Sequence, residues 1–444
     1  MKYSITFSLC LTTLFIFGQS PINLFDGKSL RGWKIINPGT STFTVKNGEI
    51  IGITKDKSIT SHIVTEKEYS DFILEADIYI SEGLNSGIDF RSNYSDGKVH
   101  GYQCDVDGWP RKWSGGFYEE NGRDWIGIPD INPNAKYALK TNKWNSFKIE
   151  AIGSRMRSWI NGIPILTLID TVHHKGFISL QIHHAMKPED QDKVIKWKNI
   201  RIISNPKKEN PMDWNTPIIN MTNTLIDTEI KKGFISLLPQ KGFSGWRSVH
   251  STQPPSVRWT NDQGVFRVDK SDGSETGNDI VTNKEYGAFE LLFDFKLTPG
   301  ANSGIKYFVD EQYDSGGKSG IGLEYQILDD ALHPDAKEGV VGNRTLASLY
   351  DLIPSEKPAT NFQKRIGEWN KGRIVVYPDN KVQHWLNGFK VVEYVRNSLI
   401  FKVLVARSKY AKYIGFGAAS KGHILLQDHG DAVEFKNVWL REFN

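Results

Sequence analysis

Apolar residues recur at every second position over short runs separated by Gly, Pro, Asn and Asp. In "DFILEADIYI" (Asp71 to Ile80), Phe72, Leu74, Ala76 and Ile78 fall on one side, the period of a half-buried strand. "SFKIEAIGSRMRSWING" (Ser146 to Gly162) predicts two strands around a turn. Its closing Trp-x-Asn-Gly predicts a hairpin, because Asn-Gly tolerates the positive φ such turns need. No Ala/Leu/Glu-rich helical run competes with this pattern. Evenly spaced strands without helical crossovers predict an all-β chain of antiparallel sandwiches.

The pattern is written twice. At a constant spacing of 217 residues, Asn85 matches Asn302, Thr65 matches Thr282, Tyr69 matches Tyr286, Phe72 matches Phe289, Leu74 matches Leu291 and Asp77 matches Asp294. "GLNSGIDF" (Gly83 to Phe90) thereby overlies "GANSGIKY" (Gly300 to Tyr307). Tyr102-Gln103 matches Tyr325-Gln326, Trp144-Asn145 matches Trp369-Asn370, and the Trp-x-Asn-Gly hairpins at Trp159 and Trp385 correspond. Towards the ends, "GFISLQIHH" (Gly176 to His184) matches "GHILLQDHG" (Gly422 to Gly430). Two tandem jelly-roll domains are therefore expected, at 21–204 and 230–444. The connector, 205–229, is expected to be linker, since Ser204 to Pro217 is rich in Pro, Asn and charge without apolar periodicity. The unchanged Asn-Ser-Gly is expected to build a turn whose side chains cap backbone groups.

Composition narrows the class. With 55 basic and 51 acidic residues the net charge is +4, which excludes a counterion-releasing nucleic-acid binder. Residues 1–20 carry Lys2 and an apolar run from Ile5 to Phe17, too short to span a bilayer. They predict a cleavable signal and an exported protein, periplasmic or extracellular in a bacterium, with no transmembrane segment. Phe7, Ser8 and Leu9 before Cys10 fit a lipoprotein site poorly. Removing the signal leaves Cys104 without a disulfide partner, as a buried small hydrophobe. Oligomeric state is not legible in the chain.

In the second copy, "ANSGIKY" (Ala301 to Tyr307), "EYQILDD" (Glu324 to Asp330), "HPDA" (His333 to Ala336), "LYDL" (Leu349 to Leu352) and "LQDHG" (Leu426 to Gly430) occur together. The first copy has "GYQCDVDG" (Gly101 to Gly108) before "GGFYEENGRDW" (Gly115 to Trp125). Both halves resemble the 3-keto-disaccharide hydrolase domain, a bacterial family with the concanavalin A-like lectin/glucanase sandwich. The resemblance implies a carbohydrate substrate, a glycoside oxidised to a ketone at sugar carbon 3. That ketone acidifies the proton on carbon 2; a general base removes it, the substituent on carbon 1 leaves by β-elimination, and water adds to the enone. Ordinary glycosidases instead flank the bond with two carboxylates. Gly101 stands where the second copy has Glu324, so the first copy must work differently or only bind.

Such a site needs a base, donors for the enolate oxygen and an acid. His429 is the first base candidate, as a neutral imidazole is competent near pH 7, and His183 is its counterpart. Each histidine could equally hydrogen-bond a neighbouring strand. Glu324 is the alternative base or the acid. Gln326, Gln427, Gln103 and Gln181 suit sugar hydroxyls, because amides donate and accept. Asn302 could add a sugar contact to its turn. Tyr350 with Asp351, and Tyr118 with Glu119, place an aromatic beside a carboxylate, where tyrosine can stack on a sugar or donate to an oxyanion. Arg344 and Arg123 could orient a ketone. The chain points to no particular cofactor. A divalent metal is allowed by oxygen-rich loops, with Asp105 and Asp107 on one face and Asp329 near the sheet, but no complete ligand set is present. The rival functions are a non-catalytic carbohydrate-binding protein and a conventional glycosidase acting through Glu324.

Overall fold

The computed structural model describes residues 20–55, 59–207, 216–222, 224–255, 257–272, 278–313, 319–357 and 363–443. The expected signal therefore lies outside the described residues save for its last residue, as does part of the expected linker. No helix among the described residues is long and apolar enough to cross a membrane.

Each half is a sandwich of two sheets. In the first half, one sheet runs in the order Asp124–Gly127, Phe117–Glu120, Lys98–Asp107, Asn85–Ser95, Phe177–Ile182, Ser61–Thr65, Trp33–Ile36. In the second, the corresponding sheet runs Trp246–Ser248, Ile280–Tyr286, Gly422–Leu426, Asn302–Asp310, Ile321–Leu328. Against each packs a broader sheet, built in the first half around Phe72–Ile80, Trp144–Ile152 and Val194–Ser204, and in the second around Phe289–Leu297, Asn370–Val376 and Val433–Glu442.

Alternation explains the packing. Phe72, Leu74, Ala76 and Ile78 are all buried while their neighbours along the strand are half-exposed. Across the sandwich Phe72 meets Phe90 edge-on at 5.9 Å, and Phe293 meets Tyr325 at 5.1 Å. Burying each such ring stabilises the fold by roughly 1.5–3 kcal/mol, so the two sheets of a half are held chiefly by these layers. Cys104 lies within the first core.

Details repeat between the halves. Thr65 Oγ1 donates to the Lys67 carbonyl and accepts from Ile178 N; Thr282 Oγ1 donates to the Lys284 carbonyl and accepts from Ile424 N. Both Trp-x-Asn-Gly hairpins form, with Asn161 and Gly162 at φ 53° and 77°, and Asn387 and Gly388 at 48° and 86°.

Three features differ from the sequence reading. Asn-Ser-Gly is not the turn; it begins the strands Asn85–Ser95 and Asn302–Asp310. Ser86 Oγ donates to the Gln181 carbonyl (2.7 Å) and Ser303 Oγ to the Gln427 carbonyl (2.8 Å), tying the same neighbouring strand in both copies. Within the expected linker, Ile218–Asn220 forms a strand parallel to Ile163–Ile169, while every other strand pairing among the described residues is antiparallel. A helix, Leu399–Ala406, also interrupts the second half after Phe389–Val395; Ser398 caps it by accepting from Phe401 N. Its apolar periodicity is short enough to pass for a buried strand.

Candidate active sites

The second half carries a cleft of about 410 Å³ on its narrower sheet. Strand register places Lys306 directly beside Glu324. The loop after the helix Leu399–Ala406 lays Lys409, Tyr410 and Lys412 along the cleft, opposite Gln427 and His429. Glu324 is only 5 % exposed and its carboxylate has no hydrogen-bond donor among the described residues. Burial raises its pKa above the ordinary carboxylate value, with the cations of Lys306 and Lys409 opposing the shift. Burial would lower Lys306, yet the Asp279 and Glu324 carboxylates hold it up. Lys409 is pulled down by burial.

Space for Glu324 comes from Gly304: a Cβ there would lie 2.4 Å from Glu324 Oε1. At the same end of the sheet two buried amide oxygens, Asn302 Oδ1 and Gln427 Oε1, have no partner among the described residues. His429 stands exposed at the cleft mouth, its pKa lowered by partial burial and then by His333. The rings of His333 and His429 are 6.0 Å apart. His333, His429 and Asp431 bring nitrogen and oxygen atoms within 4.8 Å of one another. As bonded, however, His333 Nδ1 accepts from Asp335 N (3.2 Å), which leaves the proton on Nε2. Asp431 accepts from Asn302 N through Oδ2 at 3.0 Å.

The first half carries a cleft of about 500 Å³ in the corresponding place. Its residues are exchanged at equivalent positions: His62 and Asp89 stand where the second half has Asp279 and Lys306. His62 Nδ1 is 3.1 Å from Asp89 Oδ2. Gln103 Nε2 donates to Asp89 Oδ1 (2.9 Å) and Glu120 Oε1 (2.8 Å), and Gln181 Nε2 donates to Glu120 Oε1 (2.9 Å). Asp105 accepts from Asn85 Nδ2 at 3.0 Å, and burial holds it well above the ordinary value. His183 Nδ1 donates to the His184 carbonyl (2.9 Å), leaving Nε2 as acceptor; burial lowers its pKa to about 4.

A model of the 3-keto-alpha-glucoside-1,2-lyase-like domain matches residues 20–203 and again 233–441. The chain belongs to this family. A Bacteroides thetaiotaomicron protein named 3-keto-disaccharide hydrolase is 35% identical over 229 residues, spanning 46% of this chain and 77% of the relative. Among solved structures, a candidate glycosyl hydrolase from Parabacteroides distasonis is 29% identical with a TM-score of 0.43, covering 50% of this chain and 99% of the other. A carbohydrate-binding module from Bacillus subtilis is 23% identical with a TM-score of 0.29, covering 39% and 96%.

Within the two lyase-like domains the expected residues separate into groups. Glu324, Gln427 and His429 line one cleft; Gln103, Asp105, Tyr118, Gln181 and His183 line the other. Tyr350 is beside the second cleft, but its hydroxyl donates to Asp335 Oδ2 at 2.7 Å. Arg344 is held by Asp335 and Asp351, each at 2.8 Å, so it braces that loop instead of facing a ketone. Asp329 accepts from Gly300 N, Ala331 N and Leu332 N, which uses both oxygens on a turn. Gln326 is buried, its Oε1 3.2 Å from Ile327 N. Asp107 is likewise occupied, by Trp109 N, Arg111 and Trp113 N, and is no cation ligand in this arrangement. Arg123 lies outside the first cleft, ion-paired with Glu119 and Asp170 and facing a cavity between the halves.

Glu119 and Glu120 must be exchanged relative to the sequence reading. Strand period puts Tyr118 and Glu120 on the cleft face and turns Glu119 to the other, where hydrogen bonds from His173 and Arg123 overcome burial and hold it down at about 2. Sequence reading also missed His62, Asp89, Asp279, Lys306, Lys409 and His333. The alternation that exposed Gln103 and Gln326 could have found Asp89 and Lys306; nothing local marks Lys409.

Proposed function

We propose that the protein hydrolyses 3-keto-glycosides outside the cytoplasm, and that the second cleft does so by elimination and water addition. The observation that supports this is Glu324: a buried carboxylate without a hydrogen-bond donor, set between the cations of Lys306 and Lys409. Desolvation makes it a stronger base than a carboxylate in water. It takes the proton from carbon 2 while the electron pair moves onto the carbon 3 oxygen, where the lysine cations favour the enolate. The enolate re-forms the ketone as the carbon 1 to oxygen bond breaks, and the Glu324 carboxyl returns its proton to the leaving oxygen. His429, neutral near pH 7 at the open mouth, directs the water that adds to carbon 1, carbon 2 regaining a proton. The partnerless oxygens of Asn302 and Gln427 accept from sugar hydroxyls.

The test offers purified protein a disaccharide and its 3-keto derivative. Cleavage of the keto sugar alone is expected, with Glu324→Gln and His429→Ala each lowering turnover more than tenfold while the melting temperature holds. Cleavage of the unoxidised sugar would replace this reading with a conventional glycosidase, and binding without cleavage would replace it with a lectin.

A further inference from the structure

The first half has Gly101 in place of Glu324, yet its cleft has a carboxylate. Gly101 pairs directly with Glu120 on the next strand outward, so the carboxylate enters from one strand further along the sheet. Amides from two different strands, Gln103 and Gln181, both donate to Glu120 Oε1, and Oε2 has no partner among the described residues. One oxygen is anchored and the other left open, the geometry a proton acceptor requires. Behind it, Gln103 continues to Asp89 and His62, which makes the floor one hydrogen-bonded unit. Burial, and next the charge of Asp89, push Glu120 up to about 7.

We propose that the first half is a second, independent catalytic centre for uncharged 3-keto-glycosides, with Glu120 moving the proton of sugar carbon 2. This rests on the reaction proposed for the second half. Glu120 Oε2 takes the proton as the enolate forms; the enolate expels the carbon 1 oxygen, which receives that same proton, and water adds across the enone, so Glu120 ends as the carboxylate it began as. The preference for an uncharged sugar follows from the floor. Both clefts carry carboxyls, Asp279, Glu324 and Asp428 in the second and Asp105 and Glu120 in the first, but where the second has Lys306 the first has Asp89. Of the two cations lining the first cleft, Lys98 lies exposed, and Arg111 is committed to Asp107 at 2.8 Å and to the Trp109 ring at 4.5 Å. Asp89 in place of a lysine disfavours an anionic sugar, and Trp109 and Trp125 line the cleft with aromatic surface.

The full-length chain is assayed on the two anomeric p-nitrophenyl 3-keto-glucosides as wild type, as Glu324→Gln and as the Glu120→Gln/Glu324→Gln double variant. Glu324→Gln should keep at least about a twentieth of wild-type turnover on one anomer and should still exchange the carbon 2 hydrogen with deuterated solvent. The double variant should lose a further hundredfold or more at an unchanged fold, judged by circular dichroism. If Glu324→Gln alone falls to the level of the double variant, the first cleft is not catalytic, while wild-type turnover still upholds the second. An inactive wild type overturns the reaction itself and this proposal with it.

Discussion

Glu119 and Glu120 are adjacent in the chain, yet one carboxyl is held down at about 2 and the other pushed up to about 7. The difference is environment: Glu119 accepts hydrogen bonds from His173 and Arg123 that overcome its burial, whereas for Glu120 burial is reinforced by the charge of Asp89, with His62 and two neutral amides opposing. This makes Glu120 a liability to stability at high pH. Its folded pKa exceeds the unfolded value of 4.5, so the folded state binds the extra proton between about pH 4.5 and 7. Stability is fully present below that window and is lost as pH rises through it. Glu120→Gln, which retains an acceptor for Gln103 and Gln181, should therefore raise stability at pH 8 by on the order of 2 kcal/mol and change it little at pH 5. Thermal denaturation of both proteins across that range checks the sign; a gain larger at pH 5 than at pH 8 would reject it.

At the scale of the strand, the repeated Asn-Ser-Gly has two duties. Its serine ties the adjacent strand, and its glycine leaves room for a cleft side chain reaching over from the other side: Gln103 over Gly87, Glu324 over Gly304. The three atoms nearest a Cβ at position 304 all belong to the Glu324 side chain, so the strain is relieved by moving the carboxylate. Gly304→Ala is accordingly expected to lower turnover more than tenfold at the second cleft, with a stability change under about 1 kcal/mol. Steady-state kinetics with a denaturation curve test this; wild-type kinetics would mean that the position of Glu324 is unimportant. Alternation made the strands and the hairpin turns legible in the chain. It did not reveal which of Glu119 and Glu120 faces the cleft, because that depends on the register against Lys98–Asp107, a pairing partner well outside the local window.

At the scale of the molecule, the segment between the halves is structural as well as connecting. Ile218–Asn220 covers the edge of Ile163–Ile169, and Ile219 packs against the first core. Trp113 of the first half meets Phe389 of the second at 5.4 Å. A chain spanning 20–204 should thus melt several degrees below one spanning 20–225, about 4 °C if the edge strand contributes about 1–2 kcal/mol. Equal melting temperatures would show that the edge strand is dispensable.

The chain by itself determined the all-β class, the duplication, the Asn-Gly hairpins and the amides of both clefts, because each is written in a short period or in an exact repeat. Only the tertiary structure decided how those parts are used. Lys409 reaches Glu324 through an inserted helix some eighty residues away, Arg123 and Arg344 are drawn into ion pairs outside the clefts, and Glu120 supplies from a neighbouring strand what Gly101 lacks. Side chains meet across a sheet by register and long-range closure, and neither leaves a mark in the local alternation of polar and apolar residues.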